Sequence, residues 1–187
     1  MHPIKKFWEF LKKDTWQSWI VSIIIIVVVL KFIFFPLMSL ATGTSLPLVV
    51  VESCSMYHES NFDAWWSQNA AWYESRNIDK TEFEAFSLKS GLNKGDIVFV
   101  WGYGEYSKGD IMIFSSKTRY PIIHRIVSLS PLSTKGDHNP NQINEIETDI
   151  KQEQIIGKAV LKIPALGWIK LIFFEPFKNS EQRGLCK

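Results

Sequence analysis

The chain is short of cysteine, of net charge and of repeated sequence, and each shortage removes a class of protein. Cys54 and Cys186 are its only cysteines. Their types and spacing give no metal signature. A disulfide between them would tie one short stretch to the tail; two free thiols, with Cys54 packed as a small hydrophobe, is the simpler expectation. The formal net charge is only +2, and no basic stripe interleaved with aromatics is present, so a nucleic-acid partner is excluded. No internal repeat or low-complexity segment occurs. The Asn-x-Ser/Thr sequon is also missing, which fits a prokaryotic membrane. At 187 residues the chain fits one domain with an anchor.

What it has in quantity is apolar surface. Hydrophobic residues make up 46% of the chain, with 8 Trp and 13 Phe. Residues 1–15 are an amphipathic lead-in carrying Lys5, Lys6, Lys12 and Lys13. Residues 16–40 are almost wholly apolar, uninterrupted from Ile23 to Leu30. At 1.5 Å per residue, about 20 residues cross a bilayer core of about 30 Å. Lys31 can snorkel to the interface, and Pro36 is expected to kink or end the helix. A cleaved signal peptide would have a shorter apolar core, so a retained anchor is the reading here. Lysines crowd its N-terminal flank and none lies between Lys31 and Lys80. That asymmetry predicts a single-pass protein of the cell membrane with its N-terminus in the cytoplasm and the rest outside.

Residues 45–164 form the extracytoplasmic domain. Residues 47–53 read as a first strand, rich in β-branched side chains. Within 58–94 the β pattern lapses: Phe62, Trp65, Trp66, Ala70 and Tyr73 recur at helical spacing behind Ser60 or Asn61 as N-cap. A short turn follows over residues 79–86. This aromatic insertion either packs on the sheet or sets its tryptophans at the bilayer interface. Short strands return at 96–101, 110–114, 121–129 and 154–163, with turns at Gly102-Tyr103-Gly104 and Ser130-Pro131. The fold class that follows is mainly β: an antiparallel coiled sheet or partly closed barrel behind one N-terminal transmembrane helix, with a small helical insertion. Residues 165–187 are an apolar tail, too short to span, that lies on the membrane surface or on the barrel.

The chemistry gathers around Ser53-Cys54-Ser55-Met56, just after the first strand. A serine hydroxyl is a weak nucleophile near neutral pH and needs a base to take its proton. Four histidines are candidates: His2, His58, His124 and His138. His2 is cytoplasmic on this topology. His124 sits within the apolar strand Ile122-Ile123-His124-Arg125-Ile126, where it can be kept neutral and ready to accept a proton, or can equally be a packed core histidine. Asp137 follows in a Gly-containing turn; it can orient a histidine or simply satisfy its own backbone.

Taken in order, Ser53-x-Ser55-Met56, Gly95-Asp96-Ile97 with Gly109-Asp110-Ile111, Ile123-His124-Arg125 and Thr134-Lys135-Gly136-Asp137 resemble type I signal peptidase (peptidase family S26). The resemblance is to the archaeal and endoplasmic-reticulum branch, where histidine replaces the bacterial lysine. It covers about residues 16–170 and implies a membrane-bound serine endopeptidase that cleaves signal peptides through an acyl-enzyme. It implies Ser55 as nucleophile, His124 as general base, Asp137 as acidic partner, and Ser53 with the Ser55 N–H as oxyanion donors. No cofactor and no metal are implied. Signal-peptide-bearing precursors, the lipid bilayer and the protein-export channel are the implied partners. Three positions depart from the family. Tyr57-His58 open an insertion where proline usually follows Met56, and His138 replaces a common asparagine. A second aspartate is replaced by Gln142 and Ile143, for which Glu145, Glu147 or Asp149 can substitute. Two other readings stay open: a non-catalytic extended-peptide binder on this fold, and a same-fold protease with a specialised client set.

Overall fold

The computed structural model describes residues 3–116, 120–180 and 183–186; His2 lies outside them. The chain divides into two compact units, 1–41 and 42–187.

The described part of the N-terminal unit is helical apart from residues 12–15. α1 (Pro3–Leu11) is followed by Asp14-Thr15 and then α2 (Trp16–Val29). Thr15 caps α2 by accepting the Ser18 N–H at 3.4 Å, as its hydroxyl oxygen fits an N-cap. Ser18 Oγ donates back to the Leu11 carbonyl at 2.8 Å. Of the expectation that Pro36 kinks or ends the helix, the ending needs correcting. The helix runs on as a π turn (Leu30–Phe34) and α3 (Phe35–Thr42). Pro36 has no N–H and its ring crowds the carbonyl four residues back. The widened turn just before it, with Phe35 N–H donating to the Leu30 carbonyl, is the usual relief for such crowding. The resulting rod, Trp16–Thr42, has 27 residues, about 40 Å of helix. Ile23, Ile24, Ile26 and Val27 are all about half exposed, so the rod is apolar on every side, as membrane spans are. It is the one helix among the described residues long and apolar enough to cross a bilayer.

The larger unit is built on one open six-stranded sheet. Its strands are β1 (Leu48–Val50), β2 (Ile97–Trp101), β3 (Ile111–Phe114), β4 (Ile122–Leu129), β5 (Leu132–Lys135) and β6 (Ile155–Ile163). The spatial order is β1-β2-β6-β3-β4-β5, and every neighbouring pair is antiparallel. Register shifts at Phe99/Val100, Ile113/Phe114 and Ile126/Ser128 coil the sheet without closing it. β3 explains its own sequence: Ile111 and Ile113 face one core with Val98, Val100 and Met56. Met112 and Phe114 face another, with Ile126 and Ile150. A strand buried on both faces reads as a continuous apolar run. β1 is shorter than the expected 47–53, although Val51 still donates to the Asp96 carbonyl at 2.9 Å. β5 occupies residues that read as a turn.

The insertion supplies α4 (Phe62–Glu74), capped by Asn61, and α5 (Lys80–Glu84), capped by Asp79. Trp65, Trp66, Tyr73 and Phe83 pack with Val127 of β4 in a third core. Trp65 and Trp66 are 1% and 6% exposed, so those rings pack on the sheet and do not reach an interface. The tail forms α6 (Trp168–Phe174) and one 3-10 turn. The two free thiols also need correcting: Cys54 and Cys186 are joined in a disulfide.

Candidate active site

Beyond β1 the chain leaves the sheet and turns sharply, with Tyr57 N–H donating to the Cys54 carbonyl at 3.0 Å. This turn carries Ser53 and Ser55, whose hydroxyl oxygens lie 3.1 Å apart. The turn is pinned from two sides. His138 N–H donates to the Ser55 carbonyl at 2.8 Å and Leu92 N–H to the Met56 carbonyl at 2.8 Å.

His124 lies in β4, opposite Met112 of β3, and is 3% exposed. Its Nδ1 bonds to Glu147 Oε1. A carboxylate only accepts, so Nδ1 carries the proton and the Nε2 lone pair is left free. That nitrogen lies beside Gly136, close to the Ser55 backbone. A methyl group placed on Gly136 would sit 2.8 Å from His124 Nε2 and 2.8 Å from the Ser55 carbonyl oxygen. The two atoms are therefore separated by at most twice that distance. Any side chain at 136 would fill this narrow gap, which is a reason for glycine there.

Asp137, expected to orient His124, has its carboxylate elsewhere. Arg125 Nε donates to Oδ1 at 3.0 Å and Nη2 to Oδ2 at 2.7 Å, the bidentate fork that guanidinium geometry favours. His58 Nε2 donates to Oδ2 at 2.9 Å and the Tyr73 hydroxyl to Oδ1 at 3.2 Å. Burial pushes the Asp137 carboxyl up, but the Arg125 guanidinium and the His58 bond outweigh it and hold the group well below the usual carboxylate range. Burial lowers the His58 imidazole despite Asp137, which keeps it a neutral ring stacked 3.7 Å from Trp65. The remaining Arg125 donors reach the Ser87, Leu88 and Gly109 carbonyls. Asp137 is thus the hub of a buried cluster that joins the insertion to β4; within it His58 Nδ1 has no partner.

The carboxylate on His124 is Glu147, one of the three acids left open in the sequence. It is fully buried, with Thr134 Oγ1 donating to Oε1 at 3.3 Å and Ile143 N–H to Oε2. Its own N–H returns to the Ile143 carbonyl at 3.0 Å, which closes a turn that aims it inward. Glu145 and Asp149, two residues to either side, are in left-handed turn conformations, φ 63° and 56°, and Asp149 pairs with Lys151 in solvent. No group of side chains among the described residues could hold a metal ion.

No protein-family model matches the chain. It is similar to "Signal peptidase complex catalytic subunit sec11" of Sclerotinia sclerotiorum, 30% identical over 114 residues, and to its namesake in Pyricularia oryzae, 28% identical over 114 residues. Each match covers 53% of this chain and 66% of the relative. The protein of the same name from Komagataella phaffii is 24% identical over 110 residues, 48% of this chain and 63% of that one. The matches thus span just under two thirds of the relatives' own length.

Proposed function

We propose, on the premise that this chain is a homologue of the endoplasmic-reticulum-type signal peptidase catalytic subunits, that it is a membrane-tethered serine endopeptidase of signal-peptide-bearing precursors. The observation that carries the reading is the buried His124–Glu147 bond set close to the Ser55 backbone. Glu147 holds His124 by Nδ1, Nε2 and the Ser55 carbonyl oxygen both border Gly136, and the Ser55 hydroxyl stands beside that of Ser53.

In this reading Ser55 Oγ attacks the scissile carbonyl as His124 Nε2 takes its proton. Glu147 keeps the ring in the productive tautomer and stabilises the imidazolium. Charge developing on the carbonyl oxygen is met by the Ser53 hydroxyl and the Ser55 N–H. The protonated His124 then gives its proton to the leaving amine. A water, deprotonated by the same Nε2, hydrolyses the acyl-enzyme. The substrate lies extended along the edge strand β1, whose outer side has no partner strand among the described residues, as in β-augmentation.

In this reading the apolar rod Trp16–Thr42 is a single membrane span, with residues 1–15 in the cytoplasm and the domain beyond residue 45 on the outer side of the cell membrane. The disulfide supports that orientation, because such bonds persist in oxidising compartments. α6 exposes Ile169, Ile172 and Phe173, which suits contact with lipid.

The test is cleavage, by detergent-solubilised protein, of a precursor with small residues one and three positions before the cut. The unaltered chain cuts it, and Ser55→Ala and His124→Ala do not. An unaltered chain that leaves the precursor whole sinks the enzyme reading and favours a non-catalytic peptide binder.

A further inference from the structure

The residue between the nucleophile and its neighbouring hydroxyl is tied to the far end of the chain. Cys54 lies between Ser53 and Ser55, and its disulfide reaches across 132 residues to Cys186. The same tail grips the residue before the pair. Lys170 Nζ lies 2.8 Å from Glu52 Oε1. Lys178 Nζ donates to the Glu52 carbonyl at 3.3 Å and lies 3.5 Å from its Oε2.

The tail is in turn fixed to the sheet unit. Glu175 is buried; Lys94 Nζ lies 2.7 Å from its Oε2, Lys178 Nζ 3.1 Å from its Oε1, and the Gly184 N–H donates to Oε2 at 2.8 Å. Glu52 and Cys54 are therefore held from the tail side, while Ser55 and Met56 are held from the loop side by His138 and Leu92. Without the tail, residues 52–54 have no hydrogen bond to the sheet among the described residues: β1 ends at Val50, and the last tie of that strand is Val51 with Asp96 and Gly95.

We infer that the C-terminal tail is a brace for the active-site turn, with the Cys54–Cys186 disulfide as its covalent end and Lys170 and Lys178 as its ionic ones. These are positioning residues. They act by holding Ser53 and Ser55 in mutual register, and they touch no substrate. A 1 Å misplacement of a reacting group is enough to cost about a hundredfold in rate. The consequence is that a serine protease with no thiol in its chemistry becomes sensitive to thiols. A dithiol reductant delivers two electrons and two protons, the S–S bond breaks, Cys54 and Cys186 become thiols, and the reductant is oxidised to its own disulfide.

This inference rests on the protease reading for its rate but not for its structure, so the test has two readouts on the full-length protein in detergent. Amide hydrogen exchange is followed over residues 52–57, and precursor cleavage is measured as kcat and KM, with and without dithiothreitol. Reduction raises exchange in that stretch and lowers kcat at least tenfold while KM moves less than about twofold. Cys186→Ser starts at the lowered rate and ignores the reductant, and reoxidation restores only the unaltered chain. Unchanged exchange together with an unchanged kcat on reduction overturns the brace. If the oxidised protein cuts nothing, the protease reading falls, and the exchange at 52–57 still decides the brace. If Cys186→Ser does not fold, the reduced and reoxidised natural chain gives the same comparison.

Discussion

At the scale of single residues, two buried carboxylates divide the work that the sequence assigns to one. Glu147 meets His124, and Asp137 meets Arg125, His58 and Tyr73. Their losses should differ in kind. Glu147→Gln keeps the shape but lets the His124 ring adopt the wrong tautomer, so kcat falls by about 10²–10⁴-fold with the melting temperature little changed. Asp137→Ala strands a buried guanidinium and costs about 3–5 kcal/mol of stability; denaturant titration beside steady-state kinetics separates the two. Lys135 offers a third residue-scale prediction. Burial lowers its ammonium to about 8 from 10.5, and it makes no ion pair among the described residues, resting 4.9 Å above the Trp72 and Tyr73 rings. The unfolded chain therefore binds the proton more tightly than the folded one, and folding loses about 3 kcal/mol to that charge below pH 8. Lys135→Met should stabilise the domain by about 1–3 kcal/mol below pH 8. The gain should shrink as the pH climbs from 8 toward 10.5, where only the unfolded lysine stays charged; a pH-independent gain would mean packing, not charge, is responsible.

Among the elements, legibility in the sequence followed the physics of burial. β2, β3, β4 and β6 were readable because they lie inside the sheet and are rich in β-branched and other apolar side chains. β5 was not: Leu132-Ser133-Thr134-Lys135 is an edge strand whose buried polar side chains serve Glu147 and the Asp137 cluster, so no apolar alternation marks it. Pro36 does not end the helix because a proline's cost can be absorbed by one π turn that composition does not reveal. Ser53, Ser55 and His124 were singled out by the order of the motifs in the resemblance; the structure sets the two serines side by side in the turn after β1 and His124 in β4. Glu147 was not separable from Glu145 and Asp149, since its inward aim comes from a hydrogen-bonded turn rather than a period. The disulfide was hidden for a related reason, as two distant cysteines say nothing of how the tail folds back. The tail also carries a pH prediction. Burial raises the Glu175 carboxyl, but bonds from Lys94, Lys178 and the Gly184 N–H outweigh it and hold it at about 2 against an ordinary 4.5. Its contribution is complete above pH 4.5 and is lost as the pH falls toward 2. Amides of 175–178 should therefore begin to exchange faster across that window, and Glu175→Gln should show the fast exchange already at neutral pH.

On the scale of the whole molecule, an apolar rod and a β domain share one short chain. The rod's length and its uniformly apolar surface were plain in the sequence, because a bilayer demands both and little else. The domain's central claim is narrower: Ser55, activated by His124 on Glu147, becomes covalently attached to what it attacks. The direct measurement is peptide mass mapping of the detergent-solubilised chain after reaction with a serine-reactive fluorophosphonate. One adduct is expected, on Ser55, formed far more slowly in His124→Ala and Glu147→Gln. A chain that stays unlabelled at Ser55, or labels equally fast without His124, would contradict it.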